Sequence, residues 1–192
     1  MTTLVCGIGI NDRSCPAKIE GKNTKEYALW HSMLKRCYSK PYLEKQPTYM
    51  GCSVSDNFKY YHLFHAWCQT QIGFGKDGYQ LDKDLLIKGN KLYSEDTCVF
   101  IPSVLNLLLT KAAAGRGLLP IGVSKNGKGF RATCAIYGKA KSLGTFQTVE
   151  EAFQAYKNFK EEHIKTQAEL YKHEIDEIAY QALINYEVSI DD

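Results

Sequence analysis

The chain has 192 residues, of which 44% are hydrophobic and 23% charged. That is too apolar for a disordered tail, and no apolar run approaches the roughly 20 residues of a membrane span. Seven cysteines without paired spacing, and residues 1–6 with neither a basic stretch nor a long apolar run, point to a reducing, cytoplasmic compartment rather than secretion. The formal charge of +3 hides an uneven split: 15 Lys and Arg against 10 Asp and Glu in residues 1–117, 5 against 0 in 118–147, and 4 against 11 in 148–192. A basic body and an acidic tail suggest a polyanion-facing surface backed by an acidic helical face, the alternative being two ordinary solvated faces.

In chain order, Tyr27, Trp30, Met33, Leu34 and Cys37 recur at helical spacing and predict a helix over 24–40, capped by Thr24, with Lys35 and Arg36 on the opposite side. Pro41 and Pro47 turn the chain into a loop. A second helix is expected over 56–71, with Asp56 as cap and Phe58, Tyr61, Phe64, Trp67 and Cys68 on one face. Two short strands follow, Tyr79–Asp82 and 97–101, then a helix capped by Ser103 that runs through Asn106 to Lys111. The small, poorly periodic stretch 112–117 is the expected domain boundary.

Beyond it the period changes to two. Ile121 and Val123, then Phe130, Ala132, Cys134 and Ile136, then Leu143 and Phe146 predict three antiparallel strands, with turns at Asn126-Gly127 and Tyr137-Gly138. A long helix opens at Thr148 with the apolar face Ala152, Phe153, Tyr156, Phe159, Ile164 and Ala168. A last helix, 175–185, uses Ile178, Ala179, Ala182 and Leu183. The expected class is α+β: an N-terminal helical region with a degenerate ββα unit, then a three-stranded antiparallel sheet packed on a long helix.

The run Ile121-Gly122-Val123, Phe130-Arg131-Ala132, Leu143-Gly144-Thr145-Phe146, Glu151-Ala152 and Ala155-Tyr156 resembles the Apetala-type DNA-binding domain of plant ethylene-response factors and of phage and bacterial nucleases, over about 118–170. The resemblance implies a sheet laid in the major groove of double-stranded DNA. Alternation places Arg131, Thr133 and Ala135 on the face away from the helix. Lys125, Lys128, Lys139 and Lys141 crowd the turns and edges, where they can neutralise phosphates, and Ser142 stands at a base-reading position of the family. The plant domains carry arginines and tryptophans where this chain has Ile121, Ser124, Asn126, Ala135, Ala140 and Ser142, so weak or different specificity is expected.

Three further pieces resemble phage HNH-type (ββα-metal) homing-endonuclease-like proteins over residues 1–114. They are Tyr27-x-x-Trp30-x-x-Met33-x-x-Arg36-Cys37-Tyr38, Leu81-Asp82-Lys83-Asp84, and Gly89-Asn90 with Tyr93-Ser94 and Thr97–Phe100 leading to Asn106. The resemblance implies a DNA endonuclease that hydrolyses phosphodiester bonds with one bound Mg2+. Where the family has its general-base His, this chain has Lys83. Asp82, Asp84 and Asn106 are the candidate metal ligands, with Lys83, Asn90 and Tyr93 as the supporting catalytic set. The alternative on the same scaffold is a catalytically silent DNA-binding regulator. A third reading is a protein-binding inhibitor that uses the acidic helices, residues 171–192 forming a C-terminal extension.

His62, His65 and Cys68 stand at i, i+3 and i+6 on the second helix, with Cys52 upstream. They are zinc-capable types, but without a Cys-x-x-Cys pair the structural reading is preferred. Cys6-Gly7-Ile8-Gly9 is read as a strand or turn, and the Tyr27/Trp30/Met33 stripe as core.

Overall fold

Thr24 sets the start of the first long element. Its hydroxyl accepts from the Tyr27 amide, and α1 (Lys25–Tyr38) runs from there with Trp30, Met33, Leu34 and Cys37 buried. In the computed structural model residues 4–110 and 118–192 are described, and they form an α+β protein. The chain divides into two compact units, residues 1–101 and 102–192. The expected boundary at 112–117, and Lys111 before it, lie outside the described residues.

The N-terminal unit opens with a turn in which Val5 and Gly9 exchange backbone bonds, followed by the hairpin β1 (Lys18–Ile19) and β2 (Lys22–Asn23). Gly9 has to be glycine: a Cβ there would sit 2.3 Å from Leu34 and 2.9 Å from the Trp30 ring. Pro41 and Pro47 do not simply break the chain. Pro41 lies in the first turn of α2 (Lys40–Lys45) and Pro47 starts a 3-10 turn, positions where the missing N–H costs nothing.

The second helix is shorter than its periodicity suggests. Residues Asn57–Lys59 form a 3-10 turn, Tyr60 is extended, and α3 covers Tyr61–Thr70. The interruption arises because Ile10 pairs with Tyr60, and the Tyr61 amide donates to Ile10. Asp56 caps nothing; its carboxylate instead takes the Lys59 ammonium at 2.6 Å. α1 packs on α3 around Trp30, whose indole N–H donates to the Phe58 carbonyl at 2.7 Å. Phe58, Tyr61 and Phe64 close the core with no exposed surface. Cys52 and Cys68 lie in that core, and all seven cysteines are free.

Two small sheets complete this unit: β3 (Ser53–Val54) with β5 (Leu92–Tyr93) in parallel, and β4 (Tyr79–Asp82) with β6 (Val99–Pro102). α4 (Ser103–Leu108) follows at once, so the ββα order is present. Pro102, not Ser103, holds the cap position, with no side-chain cap bond.

In the C-terminal unit β7 (Val123–Asn126), β8 (Gly129–Ile136) and β9 (Lys139–Phe146) form an antiparallel sheet in the order β7-β8-β9. Asn126 belongs to β7 and pairs with Gly129; the turn itself is Gly127-Lys128, with Gly127 at φ +59°. A bulge after Ala132 tucks Leu143 toward the core. α5 (Val149–Tyr171) begins with a capping box between Thr148 and Glu151 and covers one face of the sheet.

Its buried face holds Ala152, Phe153, Tyr156, Ile164 and Ala168 as expected, but also Lys160 and Gln167. Gly122 lies flat against Tyr156, and a Cβ would meet that ring at 2.0 Å. α6 (Glu177–Ile184) is capped by Asp176 and packs on α5 through Ala179, Tyr180 and Leu183, with Ile175 buried just before it. Ile178, expected inside, is 54% exposed because Tyr180 takes the inner position. No helix among the described residues is long and apolar enough to cross a membrane.

Candidate nucleic-acid interface

Cross-strand pairing decides which side chains share a face of the sheet. Val123 pairs with Ala132, Ala132 with Gly144, Phe130 with Phe146 and Cys134 with Lys141, all on the side covered by α5. The other face therefore carries Ser124, Arg131 and Thr145 in one row, Thr133 beside Ser142, Ala135 beside Ala140, and Asn126 at the end. These side chains are exposed or half-buried. Arg131 donates to the side-chain oxygen Oδ1 of Asn126 at 3.3 Å, and Nδ2 of Asn126 donates to the Thr145 hydroxyl at 3.2 Å. The face thus offers one guanidinium, one carboxamide and four hydroxyls over small alanines. That is a set of donors and acceptors with no carboxylate among them.

The lysines divide differently. Lys125 and Lys141 pair with Phe130 and Cys134, so they leave the sheet on the helix side. Each lays its ammonium over an aromatic ring, Lys125 at 4.2 Å from the Phe130 centroid and Lys141 at 4.5 Å from that of Phe159. They are rim cations whose stems cover core aromatics. Lys128 in the first turn and Lys139 at the start of β9 are exposed. Arg131, Thr133 and Ser142 are thus brought together on one face, whereas Lys125 and Lys141 leave on the other and Lys128 and Lys139 stand at the turns.

The Asp82–Tyr93 segment is built as a clamp. One Asp82 carboxylate oxygen accepts from the amides of Asp84 and Leu85, both at 2.7 Å, closing the loop after β4. Burial raises its carboxyl above the ordinary value, although those two amides pull the other way. Lys83 is buried, with its ammonium 2.5 Å from Asp84 and 2.7 Å from the Asn90 carbonyl. Asn90 answers with its side chain, donating to the carbonyls of Lys83 and Leu92 and accepting from the Leu92 amide.

Tyr93 is 2% exposed and its phenol is pushed up by burial, while Arg36 beside it favours the phenolate. Arg36, expected on the solvent side of α1, is half-buried over the Tyr49 ring. Burial works against its charge, and the phenols of Tyr93, Tyr49 and Tyr42 more than offset that.

Asn106 is half-buried on α4 in the C-terminal unit, whereas Asp82, Lys83, Asp84, Asn90 and Tyr93 belong to the N-terminal unit. Among the described residues no group of three or more His, Cys, Asp or Glu is arranged to hold a metal ion. Asp82 spends one oxygen on two amides, and Asp84 already faces an ammonium. Mg2+, which takes near-octahedral oxygen ligands, would have to share these carboxylates with their present partners. His62 lies with Nδ1 2.8 Å from an Asp12 carboxylate oxygen, His65 sets its ring edge-on to Tyr61, and Cys68 is fully buried.

The residue that periodicity left out is Lys160. Its spacing of four from both Tyr156 and Ile164 already put it on the buried stripe of α5. Compared with known proteins, the chain matches no family model, no curated protein and no solved structure.

Proposed function

We propose that the C-terminal unit binds double-stranded DNA through the face of β7–β9 turned away from α5. The observation that carries this reading is the Arg131–Asn126–Thr145 row on an acid-free face, with Lys128 exposed in the adjoining β7–β8 turn. A three-stranded ribbon is narrow enough for the major groove. Arginine and asparagine are the side chains whose paired donors and acceptors match base edges, while rim lysines neutralise phosphates without reading sequence. The resemblance of 118–170 to the Apetala-type domain agrees with it.

The test is fluorescence anisotropy with a labelled duplex over a range of salt. Affinity that falls as salt rises, and falls again on Arg131→Ala, supports the reading. Binding insensitive to both refutes it.

Hydrolysis of the bound DNA, as in HNH-type phage endonucleases, is the second reading. The order β4, β6, α4, with β4 paired to β6, favours it. Its test is nicking of supercoiled plasmid with and without Mg2+. Nicking that needs Mg2+ and is lost in Asp82→Ala supports an endonuclease. Intact plasmid beside retained duplex binding supports a silent DNA-binding regulator.

A further inference from the structure

Within the C-terminal unit lies a cavity of about 360 Å³. Val104 and Leu107 of α4, Ile121, Tyr137 and Tyr156 give it largely apolar walls, and Lys160 of α5 lines it as well. The Tyr137 hydroxyl donates to Gln167 at 2.6 Å, which fixes that ring in the wall. The volume falls within the range of small-molecule sites.

Lys160 is the anomaly. It is only 8% exposed, and among the described residues no carboxylate, carbonyl or hydroxyl pairs with its ammonium. Burial disfavours its charge, and the group that opposes this is the Cys134 thiol, itself raised by burial. His163 on the same helix feels the charges of both Lys160 and Lys141, and the phenols of Tyr137 and Tyr156 line the cavity beside Lys160. An ammonium on so buried a side chain, facing a largely apolar cavity without a counter-ion, is costly to keep charged.

We propose that this cavity is a binding site for a small amphipathic carboxylate, its hydrocarbon body against Val104, Ile121 and Tyr156 and its anionic head on Lys160. Charge selects the head: a carboxylate supplies the missing counter-ion and two acceptor oxygens, whereas an alcohol or an amine does not. Apolar walls select the body, because a bare inorganic anion would leave them unfilled. Leu107, 60% exposed at the wall, marks the side open to solvent.

The test is calorimetric titration of the full chain with octanoate, below its micellar range, against 1-octanol and octylamine. Saturable one-site binding of octanoate at least tenfold tighter than octanol is expected, with octylamine weakest. Lys160→Met should erase the preference for octanoate over octanol while leaving the unfolding temperature no lower than in the wild type. Leu107→Glu, at an exposed position that does not threaten folding, should weaken octanoate severalfold and leave octanol unchanged. No saturable octanoate binding, equal affinity for octanol, or undiminished octanoate preference in Lys160→Met would each overturn the proposal. Neither result bears on duplex binding by Arg131, which the salt titration reads separately.

Discussion

Arg131 on β8 reaches across to Asn126 on β7, Nη2 to Oδ1 at 3.3 Å, and so the cation of the outer sheet face is oriented before any ligand arrives. Orientation matters because a flexible arginine must be ordered on binding, at a cost of about 0.5–1.5 kcal/mol for a rotamer-rich side chain. Arg131→Ala is expected to weaken duplex binding by roughly 1–3 kcal/mol, the usual value of a good bidentate base contact. Asn126→Ala should lose less, since the guanidinium remains. Lys141→Ala should lose least, because its ammonium rests on Phe159 on the other side of the sheet. Anisotropy titrations of the three variants at one fixed salt concentration read the order directly. An equal loss in Arg131→Ala and Lys141→Ala, with none in Asn126→Ala, would mean that only total charge counts.

Asn90 is the keystone of the loop between β4 and β5. It makes three hydrogen bonds with its side chain, to the carbonyls of Lys83 and Leu92 and from the Leu92 amide, and its own carbonyl receives the buried Lys83 ammonium. Asn90→Ala removes the side-chain bonds and strands two carbonyls and an amide, so a loss of about 1–3 kcal/mol is expected. Urea unfolding of the full chain measures it. Duplex affinity should stay at the wild-type value, because the clamp lies in the N-terminal unit and the sheet face in the other.

The legible parts of the fold were those fixed by local chemistry. Thr24 before an apolar stripe, the Thr148–Glu151 box and the alternation of Phe130, Ala132 and Cys134 each act within one or two turns or strands, and each element formed where its pattern put it. The errors have a common cause in pairing at a distance. Periodicity continues through 56–71, but the Ile10 bridge to Tyr60 straightens the chain in the middle. Arg36 looks solvent-facing on a helical wheel, yet Tyr49 and Tyr93 come from elsewhere to receive it. The same applies to the site. The composition of the Asp82–Tyr93 segment suggests ligands and a base, whereas in the fold Asp82 turns its carboxylate to the amides of Asp84 and Leu85, and Lys83 and Asn90 bond each other. Strand register, in turn, separates Arg131 from Lys125 and Lys141, which charge counting had pooled.

Gly122 and Tyr156 form the tightest joint between sheet and helix. Gly122 has φ +78°, a conformation L-residues rarely take, and its α-carbon faces the ring closely enough that a Cβ would lie 2.0 Å from it. Gly122→Ala is therefore penalised twice, by backbone strain and by overpacking, at roughly 2–4 kcal/mol together. Tyr156→Leu in the same chain should recover part of that loss by removing the clashing ring. A thermodynamic cycle of the two substitutions, read from denaturant midpoints, tests whether contact with the ring carries the penalty. Additive losses would assign it to the backbone alone.

His163 makes the stability of the C-terminal unit depend on pH. Its ring stacks on Phe159 with centroids 6.0 Å apart and meets Tyr137 edge-on, and its Nε2 is buried with no hydrogen-bond partner among the described residues. Burial lowers its affinity for a proton, and the charges of Lys160 and Lys141 lower it further. The folded state thus protonates His163 only below the ordinary value of about 6.5, whereas the unfolded chain protonates at that value. Between the two the unfolded state binds more protons, so stability is complete above about pH 6.5 and is lost as pH falls toward and through the folded value. Replacing His163 by Phe keeps the stacking surface and removes the titration. Unfolding temperatures taken from pH 7.5 down to 5 should therefore fall more steeply for the wild type than for His163→Phe. Parallel profiles would show that the histidine is solvated in both states.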